Sequence, residues 1–263
     1  GNSPFVAIPV FPSRFFRHSC VFINLDSGIK KPQDFKDKRV GVAEYSMTAA
    51  VWVRGFLSDD YGVKASDIHW FTGGQEEPGR KERVKLTLPP AIKLDPIADD
   101  KTLNGMLENG EIDALISARS PSCFVKGSPK VRRLFPNYKD VEIDYYKRTR
   151  IFPIMHAIVL RREVYDKNPW TARSLYKAFR DAKDQAIDTL NISNPLPYTL
   201  PWLIPETELL RDTFGSDWWP YGIETNRHVL ETLIRYMGEQ GLLAKSLKVE
   251  EIFAPNVVGE FRV

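Results

Sequence analysis

Three side chains that could bind or protonate an anion lie close together near the start of the chain. Arg14, Arg17 and His18 occupy a turn between two apolar runs, residues 5–11 and 20–23. An arginine can hold a carboxylate through two parallel hydrogen bonds, so this turn could receive an acidic ligand. The alternative is a solvated loop in which an arginine caps a helix or pairs with an aspartate. On these residues alone, the solvated loop is the stronger interpretation.

Two further groups of polar residues follow predicted strands. Ser46 and Thr48 stand at a strand-to-helix junction, where free backbone N–H groups and the helix dipole favour an anion. Ser46 could also be a simple N-cap, and the two roles are compatible. Arg119 and Ser120 come after a strand that ends at Ile116, a position where open α/β sheets bind ligands. For Arg119, a place in an ordinary surface loop is an equally good interpretation.

The histidines give a weak signal for catalysis and for metal binding. His156 lies within the apolar run of residues 152–160, where a lone histidine is more often a hydrogen-bonded core residue than a catalyst. His69 and His228 are predicted to be structural. Because the four histidines are scattered and have no close carboxylate spacing, the sequence predicts no metal site.

The elements that must position these residues alternate between strand and helix. Strands are predicted at residues 39–43, 68–72, 112–116, 131–135 and 152–160, with a helix from residue 48 to about 60 and helices from residue 170 onward. A long polar loop covers residues 75–83, and a polar crossover rich in Asp, Tyr and Lys follows residue 135. This alternation predicts an α/β fold with a mostly parallel sheet and helices on both faces.

Composition excludes several classes of protein. Lys and Arg number 37 against 34 Asp and Glu, a net charge of +3, which does not suggest a nucleic-acid-binding face. No apolar run approaches the roughly 20 residues that span a bilayer, so no membrane segment is predicted. Cys20 and Cys123 are far apart and form no CxxC motif, which predicts free thiols in a reducing compartment rather than a disulfide or zinc site.

Four segments carry a family resemblance. Residues 34–42 (DFKDKRVGV) resemble the crossover by which type 2 periplasmic binding proteins enter their second lobe. Residues 3–14 with Arg17-His18-Ser19, residues 152–156 (FPIMH), and residues 219–222 (WPYG) with Glu224 and Asn226-Arg227 resemble the 4,5-dihydroxyphthalate decarboxylase family. That family is a group of cytoplasmic enzymes built on the same fold. The resemblance covers essentially the whole chain.

The resemblance implies a two-lobed α/β fold of the type 2 periplasmic-binding-protein class with a central cleft. Lobe one would comprise residues 1–30 and 145–263, and lobe two residues 31–144. The ligand would bind in the cleft near the strand ends. The family's first strand–helix–strand units are expected to be missing, because an apolar run begins almost at residue 1. Lobe one would then have an exposed sheet edge.

The resemblance also implies a reaction, the decarboxylation of a small aromatic dicarboxylate such as 4,5-dihydroxyphthalate to a dihydroxybenzoate. No cofactor is expected, because a ring hydroxyl can push electron density towards the carbon that is protonated. A homo-oligomer is compatible with the sequence. The residues implied to bind substrate are Arg14, Ser46, Thr48, Arg119 and Ser120, and those implied to protonate the ring are His18 or His156. The alternative function is a solute-binding or sensor protein that closes the same cleft without chemistry.

Overall fold

The computed structural model describes residues 3–191 and 195–258. Its strands are β1 Phe5–Arg14, β2 Val21–Asn24, β3 Arg39–Val42, β4 His69–Thr72, β5 Lys93–Pro96, β6 Ala114–Ile116, β7 Val131–Arg133 and β8 Ile154–Arg161. Its α-helices are α1 Thr48–Tyr61, α2 Leu103–Asn109, α3 Ser122–Val125, α4 Tyr138–Thr149, α5 Arg162–Lys167, α6 Trp170–Leu190, α7 Leu203–Phe214 and α8 Arg227–Glu239. The prediction of an α/β fold is confirmed.

The chain divides into two compact units. Unit 1 comprises the described residues of Gly1–Arg14, Lys147–Glu231 and Leu247–Val263, and unit 2 comprises Phe15–Tyr146 and Thr232–Ser246. The first boundary therefore falls after Arg14, and not after residue 30 as the resemblance implied. The reason is that β2 hydrogen-bonds to β6 and β7, which belong to unit 2.

Unit 2 is built on a six-stranded sheet with the order β5-β4-β3-β6-β2-β7. Strands β3, β4, β5 and β6 run parallel to one another, and β2 runs antiparallel to β6 and β7. Apolar residues of the central strands are fully buried, as expected of strands covered by helices on both faces. Because parallel strands share one carboxyl edge, the loops after β3, β4 and β6 leave the sheet at the same edge.

Helix α1 follows β3 and forms the central helix of unit 2. All its residues from Ala49 to Leu57 are buried. The helix ends at Gly62, whose φ of +65° is the left-handed conformation that a glycine adopts at low cost. Because α1 follows the carboxyl end of β3, its N-terminus lies at the carboxyl edge of the sheet.

Unit 1 has a two-stranded antiparallel sheet of β1 and β8. The pairing runs from Phe5 opposite Arg161 to Arg14 opposite Ile154, with an irregularity between Ile8 and Ser13. Val6, Ile8 and Val10 point into a core that is completed by α6 and by residues 254–257. The sheet places Arg14 and His156 on adjacent strands.

Candidate functional site

A pocket of about 690 Å³ opens at the carboxyl edge of the unit 2 sheet. It is lined by Ala43, Met47, Gly74, Gln75, Glu76, Glu77, Pro78, Gly79, Arg80, Arg83, Ser117, Ala118 and Arg119. Three of these side chains carry guanidinium groups and two carry carboxylates, and Arg80 and Arg83 pair with Glu44, so Arg119 is the lining cation best placed to receive an anionic ligand.

Arg119 lies at this pocket, and Ser120 follows it, both as exposed residues after β6. Within the described part of the chain, the Arg119 guanidinium makes no hydrogen bond or ion pair, while its carbonyl oxygen accepts bonds from Ser117 Oγ at 2.7 Å and Gln75 Nε2 at 3.2 Å. The backbone is therefore held while the charged group is available to a ligand.

Ser46 and Thr48 stand where the sequence predicted, at the start of α1. The helix begins at Thr48 after Met47, whose side chain makes no capping bond, so Ser46 is not the N-cap. The backbone N–H of Ser46 and its hydroxyl instead donate to Glu82 Oε1, and the N–H of Tyr45 donates to Glu82 Oε2 at 2.7 Å. Thr48 is half-buried beside them.

The polar loop of residues 75–83, here called the strap, is attached to the sheet edge. Glu44, which is buried, pairs with Arg80 and lies 3.3 Å from Arg83 Nε. Near the other end of the strap, Ser117 Oγ donates to Gln75, and Glu76 Oε1 accepts from the backbone N–H of Ser122 at 3.0 Å. Gly74 is required where the strap leaves β4, because a Cβ there would lie 1.6 Å from the carbonyl oxygen of Glu77.

A buried cation lies behind Tyr45. Arg54 of α1 is 1% exposed, donates to the carbonyl oxygen of Tyr45 at 2.7 Å and to Gln240 Oε1 at 2.6 Å, and sits 3.9 Å from the centroid of the Tyr45 ring. Burial lowers its pKa to about 10, and the nearby Tyr45 and Glu82 oppose that shift. The guanidinium remains charged at neutral pH.

Arg14 in unit 1 is held by protein oxygens. Its guanidinium donates to the carbonyl oxygens of Phe152 at 3.2 Å and Pro220 at 2.6 Å and to Oδ1 of Asn226. Asn226 is itself fixed, because its amide donates to Pro220 at 3.0 Å and Gly222 at 2.8 Å. The residues that carried the family resemblance in the first, second and third decarboxylase segments therefore meet at one buried guanidinium.

His18 lies in an aromatic cluster inside unit 2. It is 1% exposed, its ring stacks on Phe56 with the centroids 4.2 Å apart, and the rings of Phe135 and Tyr145 approach edge-on at 5.3 and 5.2 Å. Its Nδ1 is 3.8 Å from Oε1 of Glu142. The His18 ring is therefore enclosed by aromatic side chains of unit 2.

Glu142 is a titratable group that the sequence analysis overlooked. Burial raises its pKa to about 7, and hydrogen bonds from the backbone of Ser19 and His18 and the charge of Arg17 oppose the rise. Because the unfolded group titrates near 4.5, the folded protein binds the extra proton between these two pH values. The stability that this carboxyl contributes is therefore full below about pH 4.5 and is lost as the pH rises through about 7.

We expect Glu142→Gln to remove that pH-dependent contribution. As the pH rises from 4.5 to 7.5, the unfolding free energy of the wild type should fall relative to that of the variant. Urea unfolding at closely spaced pH values measures it, with Asp144→Asn, a nearby exposed acid, as the control. A difference that stays constant across this range would contradict the raised pKa.

His156 has the opposite environment. It lies opposite Ser13 in the β1–β8 pair, and its side chain is exposed. The core position that the surrounding apolar run offered as the alternative to a catalytic role is not observed, because strand β8 exposes His156, Ala157 and Val159 while its first residues are buried. The imidazole is accessible to a ligand.

The predicted site residues thus fall into three groups. Ser46, Thr48, Arg119 and Ser120 come together at the carboxyl edge of unit 2. Arg14 and His156 lie on neighbouring strands of unit 1, and His18 is packed inside unit 2. Sequence reasoning missed Arg80, Arg83 and Glu82, whose only signal was an unusual density of charge in a loop next to glycines.

The next features concern the cysteines, possible metal ligands and membrane-spanning helices within the described residues. Cys20 and Cys123 are buried free thiols. No three His, Cys, Asp or Glu side chains within residues 3–191 and 195–258 come close enough together to hold a metal ion. Of the helices in those ranges, none combines the length and the apolar character needed to cross a membrane.

Sequence comparison finds two strong relatives of known activity. The chain is 41% identical over all 263 residues to a 4,5-dihydroxyphthalate decarboxylase of Comamonas testosteroni, and it spans 80% of that protein. It is 49% identical over 147 residues to a 4,5-dihydroxyphthalate decarboxylase of Pseudomonas putida, a match that covers 56% of this chain and 57% of the relative. No protein-family model matches the chain.

Solved structures that are similar along most of the chain have low sequence identity. The periplasmic aliphatic sulphonate binding protein SsuA of Escherichia coli is 15% identical, with a TM-score of 0.48, over 98% of this chain and 75% of SsuA. The desulfurization enzyme DSZB is 14% identical, with a TM-score of 0.47, over 97% of this chain and 78% of that enzyme.

Proposed function

Because the chain belongs to the 4,5-dihydroxyphthalate decarboxylase family, we propose that it converts 4,5-dihydroxyphthalate to a dihydroxybenzoate and CO2. The observation that carries this proposal is the 41% identity along the whole chain to an enzyme of that activity. The arginine-lined pocket of unit 2 supports it, since the substrate is a dianion.

Arg119 is assigned to one carboxylate of the substrate. Its guanidinium is exposed at the pocket and is held by a backbone that Ser117 and Gln75 fix. A planar guanidinium matches the geometry of a carboxylate better than a lysine does, so it can orient the group as well as attract it. Thr48 and Ser120 offer hydroxyls at the same sheet edge.

His156 is assigned as the acid that protonates the ring. In the reaction, the ring carbon that bears the leaving carboxylate accepts a proton, the bond between that carbon and the carboxylate then breaks with release of CO2, and its electron pair restores the aromatic ring. An exposed imidazole can deliver that proton near neutral pH. His156 is chosen over His18 because His18 is enclosed by Phe56, Phe135 and Tyr145.

The substrate itself supplies the electron density for this step. Each carboxylate of 4,5-dihydroxyphthalate has a hydroxyl para to its ring carbon, and that hydroxyl stabilises the positive charge formed when the carbon is protonated. We therefore propose that no cofactor takes part. We also place the reaction in the cytoplasm, a proposal that the two free thiols and the enzyme relatives support.

The test of the function is direct. Purified full-length protein is incubated with 4,5-dihydroxyphthalate, and CO2 and dihydroxybenzoate are measured by chromatography. Equal release of both products supports the proposal. Tight binding of the substrate without product would favour the solute-binding alternative, and the absence of both binding and product would reject the substrate.

We expect the two histidines to respond differently to replacement by glutamine. His156→Gln should lower kcat by about 100-fold, the usual scale for loss of a general acid, with little change in unfolding free energy. His18→Gln should lower the unfolding free energy by about 1–3 kcal/mol, because the stacked ring is lost from a packed cluster. Steady-state kinetics and urea unfolding separate the two effects. A large loss of kcat in a stably folded His18→Gln protein would reverse the assignment.

A further inference from the structure

The strap forms a large part of the wall of the pocket in unit 2. Seven of the thirteen lining residues belong to it, so displacement of the strap would open one wall. Two acidic residues fix the C-terminal end of the strap, one located on the sheet edge and the other on the strap itself. Glu44 on the sheet edge binds Arg80 and Arg83 of the strap, and Glu82 of the strap binds Tyr45 and Ser46 on the sheet edge.

The group that receives Glu82 has the form of a carboxylate-binding site. The N–H of Tyr45 lies 2.7 Å from one oxygen of Glu82, the N–H of Ser46 lies 3.2 Å from the other, and the Ser46 hydroxyl adds a third bond. We call these three donors the carboxylate seat. Ala43 and Met47, which flank the seat in sequence, both line the pocket, so the seat lies next to that lining, although Tyr45, Ser46 and Glu82 are not lining residues themselves.

A fixed positive charge lies directly behind the seat. Arg54 is buried and bonds to the carbonyl oxygen of Tyr45, and no carboxylate in the described part of the chain forms an ion pair with it. Removing a buried cation's compensating charge is costly, because a medium of low dielectric screens it poorly. The seat therefore favours occupation by an anion, whether that anion comes from the protein or from a ligand.

We propose that Glu82 is a specificity-determining residue that holds the carboxylate seat in the resting protein and yields it to a carboxylate of the substrate. This inference rests on the proposed function. Two carboxylates cannot share the same three donors, so binding of the substrate at the seat must release Glu82, while Glu44 still holds Arg80 and Arg83 of the strap. A ligand with one carboxylate makes the same three hydrogen bonds that Glu82 loses, so it gains no net contact. A ligand with two adjacent carboxylates gains a further contact at Arg119, and the competition with Glu82 thus selects dicarboxylates.

Binding of phthalate, which has both carboxylates and no ring hydroxyl, tests the inference without turnover. Isothermal titration calorimetry is performed on the wild type, on Glu82→Gln and on Glu82→Ala. Each variant removes the internal competitor, so a larger fraction of the protein has the seat open. The dissociation constant for phthalate should therefore fall by about tenfold. A dissociation constant that is unchanged or raised in both variants overturns the inference and makes Glu82 a structural support of the pocket.

Two comparisons separate competition from a simple change in charge. Glu77→Gln removes the same charge from the same wall of the pocket, and Asp99→Asn removes it from an exposed loop of unit 2. The first should tighten phthalate binding by much less than Glu82→Gln, and the second should leave it unchanged. An equal gain in Glu77→Gln overturns the inference. Benzoate is titrated in parallel, and the preference for phthalate over benzoate should fall in Glu82→Ala.

Added acetate provides a second measurement on the same variant. Acetate can fill the seat that Glu82→Ala leaves open, so it should weaken phthalate binding in this variant more than in the wild type. Equal inhibition of both proteins would count against the inference. Failure of the proposed function is recognised separately, since wild-type protein would then release no CO2 from 4,5-dihydroxyphthalate whatever the outcome of these titrations.

Discussion

Replacement of Arg14 by methionine is expected to lower the free energy of unfolding by about 3–4 kcal/mol, because bonds from a charged donor are each worth about 1.5–3 kcal/mol. Methionine fills a similar volume but leaves the carbonyl oxygen of Phe152 and the side chain of Asn226 without their charged donor. Both atoms lie in or beside the core of unit 1, where water cannot replace the donor fully. Urea unfolding measures the loss.

The same variant decides between two roles for Arg14. Arg161→Met, at the exposed end of β8, is the matched control and should change stability by less than about 0.5 kcal/mol, since its ion pair with Glu163 is solvent-exposed. If Arg14→Met is as stable as this control but no longer binds phthalate, Arg14 binds the substrate, as the family resemblance implied. A large loss of stability identifies it as the residue that joins β1 to Phe152, Pro220 and Asn226 in unit 1.

The second large effect is expected at Arg119. Changing it to glutamine should lower kcat/KM for 4,5-dihydroxyphthalate by about 100-fold, mainly through a higher KM, because a charge-assisted contact to one carboxylate is lost in both the bound substrate and the transition state. The unfolding free energy should not change, since the Arg119 side chain contacts no other described residue through a hydrogen bond or ion pair. Steady-state kinetics of product release measure the effect.

Arg132→Gln is the control for this experiment. Arg132 is exposed on β7 and does not line the pocket, so it removes an equal charge from unit 2 without touching the site. An equal loss of kcat/KM in both variants would show that only the net charge matters. A fall in kcat at constant KM in Arg119→Gln would instead indicate a contact made in the transition state alone.

Much of unit 2 could be predicted from local patterns. Strand β3 and helix α1 stood out because an apolar run is followed by apolar residues at helical spacing and then by Gly62. Helix α4 was described as a polar crossover, since Tyr145 is its only buried residue and a helix without an apolar face has no periodic signal. An element is therefore easier to predict from its local sequence pattern when it buries more apolar surface.

The boundary between the units could not be predicted in the same way. The apolar run of β2 is compatible with a strand in either unit, and only its pairing with β6 and β7, about 90 to 110 residues later in the chain, assigns it to unit 2. The roles of Glu82 and Arg14 are similar cases. Residue type indicated that Arg14 could bind an anion, and Glu82 was no more than one charge in a polar loop, because the partners of both residues lie in segments that the sequence gives no means of bringing together.

The division of unit 1 among three separate segments has a consequence for biosynthesis. Ala7 exchanges hydrogen bonds with Ile252 and Ala254, and Arg14 bonds to Pro220 and Asn226. Strand β1 therefore leaves the ribosome long before its partners exist, whereas residues 15–146 of unit 2 are contiguous. Contacts that close loops of more than 200 residues form slowly relative to local contacts. We therefore expect unit 2 to fold first, while β1 remains an unpaired apolar segment. During synthesis, we expect chaperones to bind this unpaired apolar strand.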